Sequence, residues 1–331
     1  MLSIIIPTLN EATTIGSLLE NLGRQTANEC EVIVADGGSC DDTIAIAEDH
    51  GARVTQSAPG RGQQLNEGAR AAGGDYLLFL HADSELTTDD QLARALEMMS
   101  TYDEHTAGHF PMEFKSASDD VVEHLRYFAA KTHLNRPGTF NGDQGLLIHA
   151  KAFRLLGGFS ERYGFLEDQD FGERFNDYGE FVTLPDALRT SARRFEQEGV
   201  KERILLNTII MGMFHLRQDR FFSEAPGIYR ASAGARLNPL PFLTLARRSV
   251  MADGLWPGLA RCYRIGRYAN RNFWQVFFWA GLRLGEEDQW LRSYDRYASR
   301  VTHNPLGDTL ATVVVLAWFF TTLASLSIRN R

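Results

Sequence analysis

Polar side chains suited to binding or catalysis stand directly after three apolar runs in the first half of the chain. They are Asn10 and Glu11 after the first run, Asp36 after the second, and His81 and Asp83 after the third. A single aspartate in such a place would more simply begin a turn, but the same arrangement occurs three times. Carboxylates, an amide and an imidazole suit ribose hydroxyls, a base N–H group, or a divalent cation that holds phosphates.

A second group of carboxylates lies further along the chain. Glu167, Asp168 and Asp170 fall within four residues, after a glycine-rich apolar stretch. Such a cluster is costly unless it is solvated or binds a cation. On a helix Glu167 and Asp170 share a face, while Asp168 points about 100° away from Glu167. The cluster is therefore either part of a site or an acidic helix N-terminus that the helix dipole favours.

The elements that must position these groups alternate between strand and helix. The predicted strands are Ser3–Pro7, Glu31–Ala35, Arg53–Thr55 and Tyr76–Leu80. Helical spacing of apolar residues follows each of the first three, so the pattern favours a doubly wound parallel sheet. In such a sheet ligands bind outside the carboxyl ends of the strands. We therefore expect the polar groups after the strands to meet at one edge.

The second half of the chain is less regular. It predicts a strand over Gly108–Phe114, a helix over Asp119–Leu134 and a short strand over Leu146–Ile148. Gly60-Arg61-Gly62 lacks the third glycine of a dinucleotide fingerprint and does not follow the first strand, which excludes a nicotinamide or flavin site there. The net charge of −8 argues against a general nucleic-acid binder. Three widely spaced cysteines make neither a disulfide framework nor a zinc site.

Taken in order, these motifs resemble an inverting family-two glycosyltransferase. The matching segments are 4–11, 34–39, 66–69 and 78–83, and Gly158-Phe159 with Glu167-Asp168. The resemblance covers roughly residues 1–230 and implies an α/β GT-A fold, with a Rossmann-like mixed sheet. It also implies a nucleotide-diphosphate-sugar donor and a divalent cation, Mn²⁺ or Mg²⁺.

The resemblance assigns roles residue by residue. Asp36 would contact the nucleobase, Glu11 the ribose, Asp83 the metal and diphosphate, and Asp168 would be the catalytic base. The other residues expected to bind the donor nucleotide are Pro7, Thr8, Asn10, Arg61, Asn66, His81 and Ala82. The chain departs from the family pattern where His81 replaces an aspartate, and where Gly37 replaces a second acid. A neutral imidazole can still bind manganese or a ribose hydroxyl, but it brings no negative charge.

A mechanism follows from the charges. An acceptor hydroxyl is a poor nucleophile near neutral pH, so a carboxylate must take its proton as it attacks the anomeric carbon. The departing nucleoside diphosphate gains negative charge, which a metal at Asp83 and nearby arginines would stabilise. Arg193 and Arg194 are candidates for this contact with the diphosphate, and a solvated helix start is the alternative explanation for them. Arg61 is a further candidate, and Glu167 would contact the diphosphate or the acceptor.

The C-terminal third differs in composition from the rest. Residues 231–305 form a basic, aromatic-rich region: eight arginines and one acid, Asp253, fall between residues 236 and 285. Residues 309–328, within the segment 306–331, are 20 uncharged residues in a row, about the length that crosses a bilayer. Three arginines, Arg292, Arg296 and Arg300, precede this stretch, and Arg329 and Arg331 follow it.

This composition predicts association with a membrane, either as a spanning helix or as helices that lie in the interface. The arginine distribution places the catalytic part on the cytoplasmic side. A lipid-linked acceptor is then expected. A buried helical hairpin, or a contact between two copies in a homo-oligomer, is the alternative explanation. A nucleotidyltransferase and a non-catalytic nucleotide-binding scaffold are the alternative functions.

Overall fold

The computed structural model describes residues 1–27, 29–162, 165–231 and 236–329. The chain divides into two compact units, Met1–Ala192 and Arg193–Arg331. The limit of the catalytic domain near residue 230 stays a prediction, because compactness alone does not assign chemistry. Arg331, at the end of the predicted membrane segment, lies outside the described residues.

Ten strands of the first unit form two sheets. The strands are β1 Leu2–Thr8, β2 Cys30–Asp36, β3 Arg53–Gln56, β4 Tyr76–Phe79, β5 Glu85–Leu86, β6 Thr106–His109, β7 Met112–Lys115, β8 Leu146–His149, β9 Glu180–Thr183 and β10 Leu188–Ser191. The large sheet has the order β3-β2-β1-β4-β8-β6-β9, and the small one has the order β5-β10-β7. The mixed α/β architecture predicted from the resemblance is confirmed.

Strands β1 and β4 lie at the centre of the large sheet, and both of their faces are covered. On β1, Ile4 and Ile6 pack into one hydrophobic core, while Ile5 packs into the core on the opposite face. On β4, Leu78 and Phe79 divide between the two cores in the same way. Successive side chains of a strand point to opposite faces, so a strand covered on both sides requires an unbroken apolar run.

Two details of the sheets differ from the patterns read in the sequence. Strand β8 runs antiparallel to both of its neighbours, β4 and β6, whereas the other strands of the large sheet all run in one direction. The strand expected over Gly108–Phe114 is two strands in two different sheets, separated by Phe110 and Pro111. Proline has no N–H group to donate to a ladder, which explains the break at this position.

Seven α-helices and one 3₁₀ turn are described in the first unit. They are α1 Ile15–Gly23, α2 Thr43–Asp49, α3 Arg61–Ala71, α4 Gln91–Met99, α5 Asp119–Lys131, the 3₁₀ turn Gly142–Gln144, α6 Ala150–Leu155 and α7 Glu167–Asn176. Helix α3 packs closely on the sheet: a Cβ atom on Gly68 would lie 2.4 Å from the Ile5 side chain. This close approach holds the start of α3 beside the ends of β1 and β2.

The second unit is helical wherever it has regular structure among its described residues. Its helices are α8 Arg193–Glu198, α9 Val200–His215, α10 Asp219–Ala231, α11 Leu240–Val250, α12 Leu255–Arg271, α13 Trp274–Leu284, α14 Glu287–Ser293, a π-helical segment Tyr294–Ala298, α15 Ser299–Thr302 and α16 Pro305–Arg329. Helix α16 is long and apolar enough to cross a membrane, with a mean hydropathy of 1.9 over its most apolar window.

Candidate active site

The carboxyl ends of three parallel strands meet at one edge of the large sheet. Thr8, the last residue of β1, pairs with Asp36, the last residue of β2. Strand β4 runs parallel to β1 and delivers His81 and Asp83 just beyond its own end. Polar groups that are far apart in the sequence are therefore neighbours here, as the strand pattern predicts.

Asp36 is fully buried at this edge. Its two carboxylate oxygens accept hydrogen bonds from four donors, which are the hydroxyls of Thr8 (3.0 Å) and Ser39 (2.5 Å) and the backbone N–H groups of Gly38 (2.8 Å) and Ser39 (2.8 Å). Burial alone would raise the pKa of Asp36, but these hydrogen bonds outweigh it and hold that pKa below its ordinary value. Asp36 thus fixes the loop after β2. Its predicted contact with a nucleobase requires that loop to open.

The loops that follow β1 and β2 are bound to each other. The backbone N–H of Asn10 donates to the Ser39 hydroxyl at 2.8 Å, and the Asn10 side chain accepts from the N–H of Cys40 at 2.9 Å. The N–H of Glu11 donates to the Thr43 hydroxyl at 2.8 Å. Asn10 itself has a φ of 57°, which asparagine tolerates better than most residues. The half-buried Glu11 carboxylate remains at the surface of this rigid pair of loops.

Gln64 explains why glycine occupies position 37. The buried Gln64 amide donates to the backbone carbonyls of Thr8 (2.6 Å) and Ala35 (3.0 Å). A Cβ atom on Gly37 would lie 2.9 Å from the Gln64 side chain. The space that an acidic side chain would need is therefore filled by the amide. Sequence reasoning missed Gln64, although its place at the start of α3 was a usable signal.

Arg61 and Glu167 form an ion pair at 2.5 Å between Arg61 Nε and Glu167 Oε1. Glu167 is 2% exposed, and its other oxygen, Oε2, is buried without a hydrogen-bond partner among the described residues. Burial raises the pKa of Glu167, the charge of Asp168 adds to this effect, and Arg61 opposes it. Burial would lower the pKa of Arg61, but the charges of Glu167, Asp168 and Asp143 raise it.

The His81 ring lies between the Asp143 carboxylate and the Arg61 guanidinium. Its Nδ1 is 2.7 Å from Asp143 Oδ1, and its Nε2 is 3.4 Å from Arg61 Nη1. Because a carboxylate can only accept, Nδ1 carries the proton and Nε2 faces the guanidinium with its lone pair. Both ring nitrogens are thereby engaged. His81 does not fit the role of a metal ligand in this arrangement.

Asp168 stands beside His81 at the first turn of α7. Its Oδ2 accepts from the N–H of Gly142 at 2.6 Å, and no described residue bonds to Oδ1. A Cβ atom on Gly142 would lie 3.1 Å from His81 Nε2 and 3.4 Å from Asp168 Oδ2, so both side chains border the same point. Leu166, just before α7, has a left-handed φ of 69°. A left-handed backbone is strained for a bulky residue such as leucine, and residues with such strain cluster at functional sites.

A small cavity connects these groups. It has a volume of about 20 Å³ and is lined by Leu65, Phe79, His81, Phe140, Gly142, Leu146, Phe159, Glu167 and Asp168. This volume holds about one water molecule, so the cavity is not by itself a nucleotide site. A water in it would have the unpartnered Glu167 oxygen, Asp168 and His81 within its walls.

A buried hydrogen-bond network positions the Asn141–Gln144 turn. Gln144 accepts from the N–H of Asn141 at 2.7 Å and donates to Nδ1 of the fully buried His109 at 2.9 Å. His109 Nε2 lies 2.8 Å from Asn135 Oδ1, so it carries the proton of a neutral ring. Burial lowers the pKa of His109. The Asn-x-x-Gln spacing of a capping box was the signal that sequence reasoning missed.

Asn66 has a structural role. Its side-chain amide donates to the carbonyl of Phe159 at 2.9 Å, and its Oδ1 accepts from the Phe159 N–H at 2.8 Å. Arg174 of α7 donates to the carbonyls of Leu156 and Gly158 at 2.6 and 2.7 Å. These contacts hold the glycine-rich turn that precedes the acidic cluster. The donor contact expected of Asn66 stays a prediction, with both ends of the amide already occupied.

Asp83 presents a carboxylate that is open to a cation. It is half-buried, and no described residue forms a hydrogen bond or ion pair with its carboxylate. Among the described residues no group of three or more His, Cys, Asp or Glu side chains could hold a metal ion. Mg²⁺ is commonly held by one or two carboxylates together with substrate phosphates. The free Asp83 carboxylate fits that arrangement as a single protein ligand.

The remaining predicted residues lie in supporting or separate positions. Pro7 is half-buried near the end of β1, and Ala82 is buried between His81 and Asp83. Arg193 and Arg194 are exposed at the start of α8, in the second unit. Their contact with a diphosphate stays a prediction.

Comparisons with known proteins identify similar glycosyltransferases. The sequence model of the family described as Glycosyl transferase family 2 matches residues 3–155. A PGL/p-HBAD biosynthesis glycosyltransferase of Mycobacterium tuberculosis is 31% identical over 191 residues, which are 53% of this chain and 69% of that relative. Glycosyltransferase AglJ of Haloferax volcanii is 32% identical over 160 residues, 47% of this chain and 48% of that protein.

A solved structure is similar over most of the chain. The mannosyltransferase PcManGT from Pyrobaculum calidifontis, in complex with GDP-Man and Mn²⁺, covers 96% of this chain and 87% of its own. The TM-score is 0.50 and the sequence identity is 18%. At that identity the similarity bears on the fold alone.

Proposed function

Since this chain belongs to glycosyl transferase family 2, we propose that it moves a sugar from a nucleoside-diphosphate sugar to an acceptor with inversion at the anomeric carbon. It is a glycosyltransferase with the GT-A fold. The acceptor group that we propose is a hydroxyl or a phosphate on a lipid-linked molecule.

One observation carries the proposal. Asp168, at the start of α7, and His81, beyond the end of β4, both lie within 3.4 Å of the position that a Cβ on Gly142 would take. These residues come from three separate segments of the chain. His81 in turn has the Arg61 guanidinium 3.4 Å from its Nε2. A carboxylate and a guanidinium that both lie next to His81 suit a displacement that creates an anionic leaving group.

Asp168 acts as the base in this mechanism. Its Oδ2 is held by the Gly142 N–H, which leaves Oδ1 to accept the proton of the acceptor hydroxyl. As that O–H bond breaks, the oxygen attacks the anomeric carbon, and the bond from that carbon to the β-phosphate oxygen breaks. A single displacement of this kind inverts the anomeric configuration.

Arg61 stabilises the leaving nucleoside diphosphate. Glu167 holds its Nε, while the side chain remains partly exposed with further N–H groups that can reach phosphate oxygens. A divalent cation held by Asp83 would supply additional positive charge to the diphosphate. Nε2 of His81 orients the Arg61 guanidinium. Asp143 accepts from Nδ1 and so holds the ring in the tautomer that leaves Nε2 unprotonated.

Exposed apolar surface in the second unit supports a membrane location and, with it, the proposed lipid-linked acceptor. The longest helix of the second unit, α16, is apolar, and the most apolar part of it is not buried within the protein. Large apolar side chains are also exposed on α12 and α13, among them Trp256 (78% exposed) and Trp279 (45%). We place the catalytic unit on the cytoplasmic side, where nucleotide sugars are available.

Nucleotide binding provides the direct test. UDP, GDP, dTDP and CDP are each added with and without Mn²⁺, and the melting temperature is measured. GDP belongs in the set because the similar Pyrobaculum protein was solved with GDP-Man and Mn²⁺. We expect one nucleotide to raise the melting temperature, more strongly with Mn²⁺ present.

Matched variants locate the effect. Asp83→Asn should abolish the Mn²⁺-dependent part of the stabilisation, whereas Asp49→Asn, at an exposed site on α2, should leave it intact. Stabilisation without sugar transfer to any lipid or soluble acceptor would favour the non-catalytic scaffold. Consumption of a nucleoside triphosphate with release of pyrophosphate would instead show a nucleotidyltransferase. No stabilisation by any nucleotide would remove the donor site that we propose.

A further inference from the structure

Helices α12 and α16 pack against each other over much of their length. A Cβ on Gly266 would lie between 2.0 and 2.6 Å from atoms of Thr312, so the two backbones are in close contact there. One helical turn away, Asn270 donates to Asp308 at 2.7 Å, and both of these polar side chains are 5% exposed. The residue numbers rise along one helix as they fall along the other. The two helices are therefore antiparallel, with a register set by a buried polar pair.

This register determines what lies beside the apolar stretch 309–328. Both helices rise equally per residue, so Arg264 lies level with residue 314 and Arg261 lies level with residue 317. Residue 317 is next to the middle of that stretch. If α16 crossed a bilayer while packed on α12, Arg261 and Arg264 would lie near the centre of the hydrocarbon. Arginines at that depth are strongly unfavourable. Arg261 forms an ion pair with Asp253, which precedes α12, so a spanning α16 would place this pair beside the hydrocarbon, and α12 itself carries no acidic residue to pair with Arg264.

The exposed surfaces of α12 and α16 combine apolar side chains with basic ones. On α16 most of the exposed side chains are apolar, and they include Leu310 (60%), Val314 (67%) and Trp318 (42%). At the start of α12, Leu255 and Trp256 are exposed as well. Exposed apolar surface next to a row of arginines is complementary to a membrane interface, where acyl chains lie beside anionic headgroups.

We propose that α12 and α16 lie together in the plane of a membrane interface, and that α16 does not cross the bilayer. The exposed face of α16 enters the acyl region, and the arginines of α12 contact anionic lipid headgroups. This inference rests on the membrane association in the proposed function and specifies its geometry. It makes the protein an enzyme bound to one leaflet, which draws a lipid-linked acceptor from the leaflet that it faces.

A labelling experiment on the full chain separates the two geometries. Cys30, Cys40 and Cys262 are first replaced by serine, and a new cysteine is introduced as Arg329→Cys at the end of α16 or as Ala317→Cys on its exposed face. The protein is added from outside to sealed vesicles of phosphatidylcholine and phosphatidylglycerol in equal amounts. A membrane-impermeant maleimide is then applied to the outside, before and after detergent.

The interfacial geometry predicts that Arg329→Cys is labelled fully from the outside without detergent. It also predicts that a fluorophore on Ala317→Cys is quenched best by lipids brominated close to the headgroup. Protection of Arg329→Cys until detergent is added, together with deep quenching at position 317, would show a spanning helix and overturn the proposal.

Lipid charge gives a second readout. Arg267, exposed on α12, is changed to glutamate, and Arg154, exposed on α6, is changed in the same way as a control. We expect Arg267→Glu to weaken binding to the anionic vesicles by about fivefold or more, and Arg154→Glu to leave it unchanged. Absence of vesicle binding, with a dimer in solution, would show that the apolar face is covered by a second copy and would also overturn the proposal. Nucleotide-dependent stabilisation is unaffected by any of these results, so a failure here is distinct from a failure of the proposed chemistry.

Discussion

The ion pair between Arg61 and Glu167 joins the first residues of two helices that are more than 100 residues apart in the chain, with Nε and Oε1 separated by 2.5 Å. Glu167 is buried, whereas Arg61 reaches a partly exposed position beside His81. The pair brings the start of α7, and with it Asp168, to the edge where β1, β2 and β4 end. The acidic cluster therefore lies at the candidate site, as a role beyond that of a favourable helix N-terminus requires.

The base role of Asp168 is tested by Asp168→Asn. The amide keeps the shape of the carboxylate but cannot take the proton of an acceptor hydroxyl. We expect turnover to fall by about 10²- to 10⁴-fold, while the nucleotide affinity changes little. Asp177→Asn, at an exposed position directly after α7, is the matched control and should keep full turnover. Unchanged turnover in Asp168→Asn would remove Asp168 from the mechanism.

Gly142→Ala tests the point that His81 and Asp168 share. The added methyl group would lie 3.1 Å from His81 Nε2 and 3.4 Å from Asp168 Oδ2, so the His81 ring must shift by a few tenths of an ångström and Asp168 is brought into direct contact with the methyl group. We expect at least a tenfold loss of kcat with a melting temperature close to that of the wild type. Gly23→Ala, where nothing lies within 4 Å of the new methyl group, should retain kcat. Equal kcat in the two variants would mean that the reaction takes place elsewhere.

The pH dependence of stability reports on Glu167. Because burial raises the pKa of Glu167, the folded chain retains a proton on this residue above the pH at which the unfolded chain releases it. Stability should therefore fall as pH rises from about 4.5 through the raised pKa, by at most about 1.4 kcal/mol per pH unit.

Glu167→Gln cannot titrate and should lack this slope in denaturant unfolding measured across the same pH range. Glu97→Gln, exposed on α4, should keep the slope of the wild type. A wild-type curve parallel to that of Glu167→Gln would show that the carboxyl group stays ionised at all these pH values.

His109 provides a prediction of the opposite sign. Burial lowers its pKa, so below about pH 6.5 the unfolded chain takes up a proton that the folded chain refuses. Stability should fall as pH drops below that value. Protonation would also place an N–H of His109 against the N–H donor of Gln144. A positive charge on His133 would lower the pKa of His109 further.

His109→Gln tests the network behind the Asn141–Gln144 turn. We expect a loss of about 1–3 kcal/mol of stability, because buried partners lose their hydrogen bonds. We also expect a weaker acid slope and a lower kcat, because the turn holds both Asp168 and His81. His124→Gln, exposed on α5, should change none of the three. A stability loss without any change in kcat would restrict His109 to a purely structural role.

Gly37 and Gln64 should behave as a coupled pair. Gly37→Ala places a methyl group 2.9 Å from the Gln64 amide and should displace it from the carbonyls of Thr8 and Ala35. In Gln64→Ala that obstacle is gone, so adding Gly37→Ala should cost less than it does alone. We expect a coupling energy of at least about 0.5 kcal/mol in a double-mutant cycle of unfolding free energies. Additive effects would show that Gln64 does not determine the residue at position 37.

The sequence alone determined the sheet of the first 80 residues, because a strand covered on both faces requires the unbroken apolar runs 3–7 and 76–80. It also determined that polar groups follow those runs, since parallel strands end at one edge. The family resemblance added the acidic pair Glu167-Asp168, which the structure brings to the same edge.

Only the tertiary structure decided which of these polar groups stays accessible. Asp36 and Asp83 have the same side chain and both follow a strand, yet four donors enclose the first and no described residue binds the second. The direction of β8 and the partners of His81 and Glu167 likewise depend on segments that are distant in the chain. Hydrogen bonds and burial depend on distances in space, and a local pattern of residue types does not specify those distances.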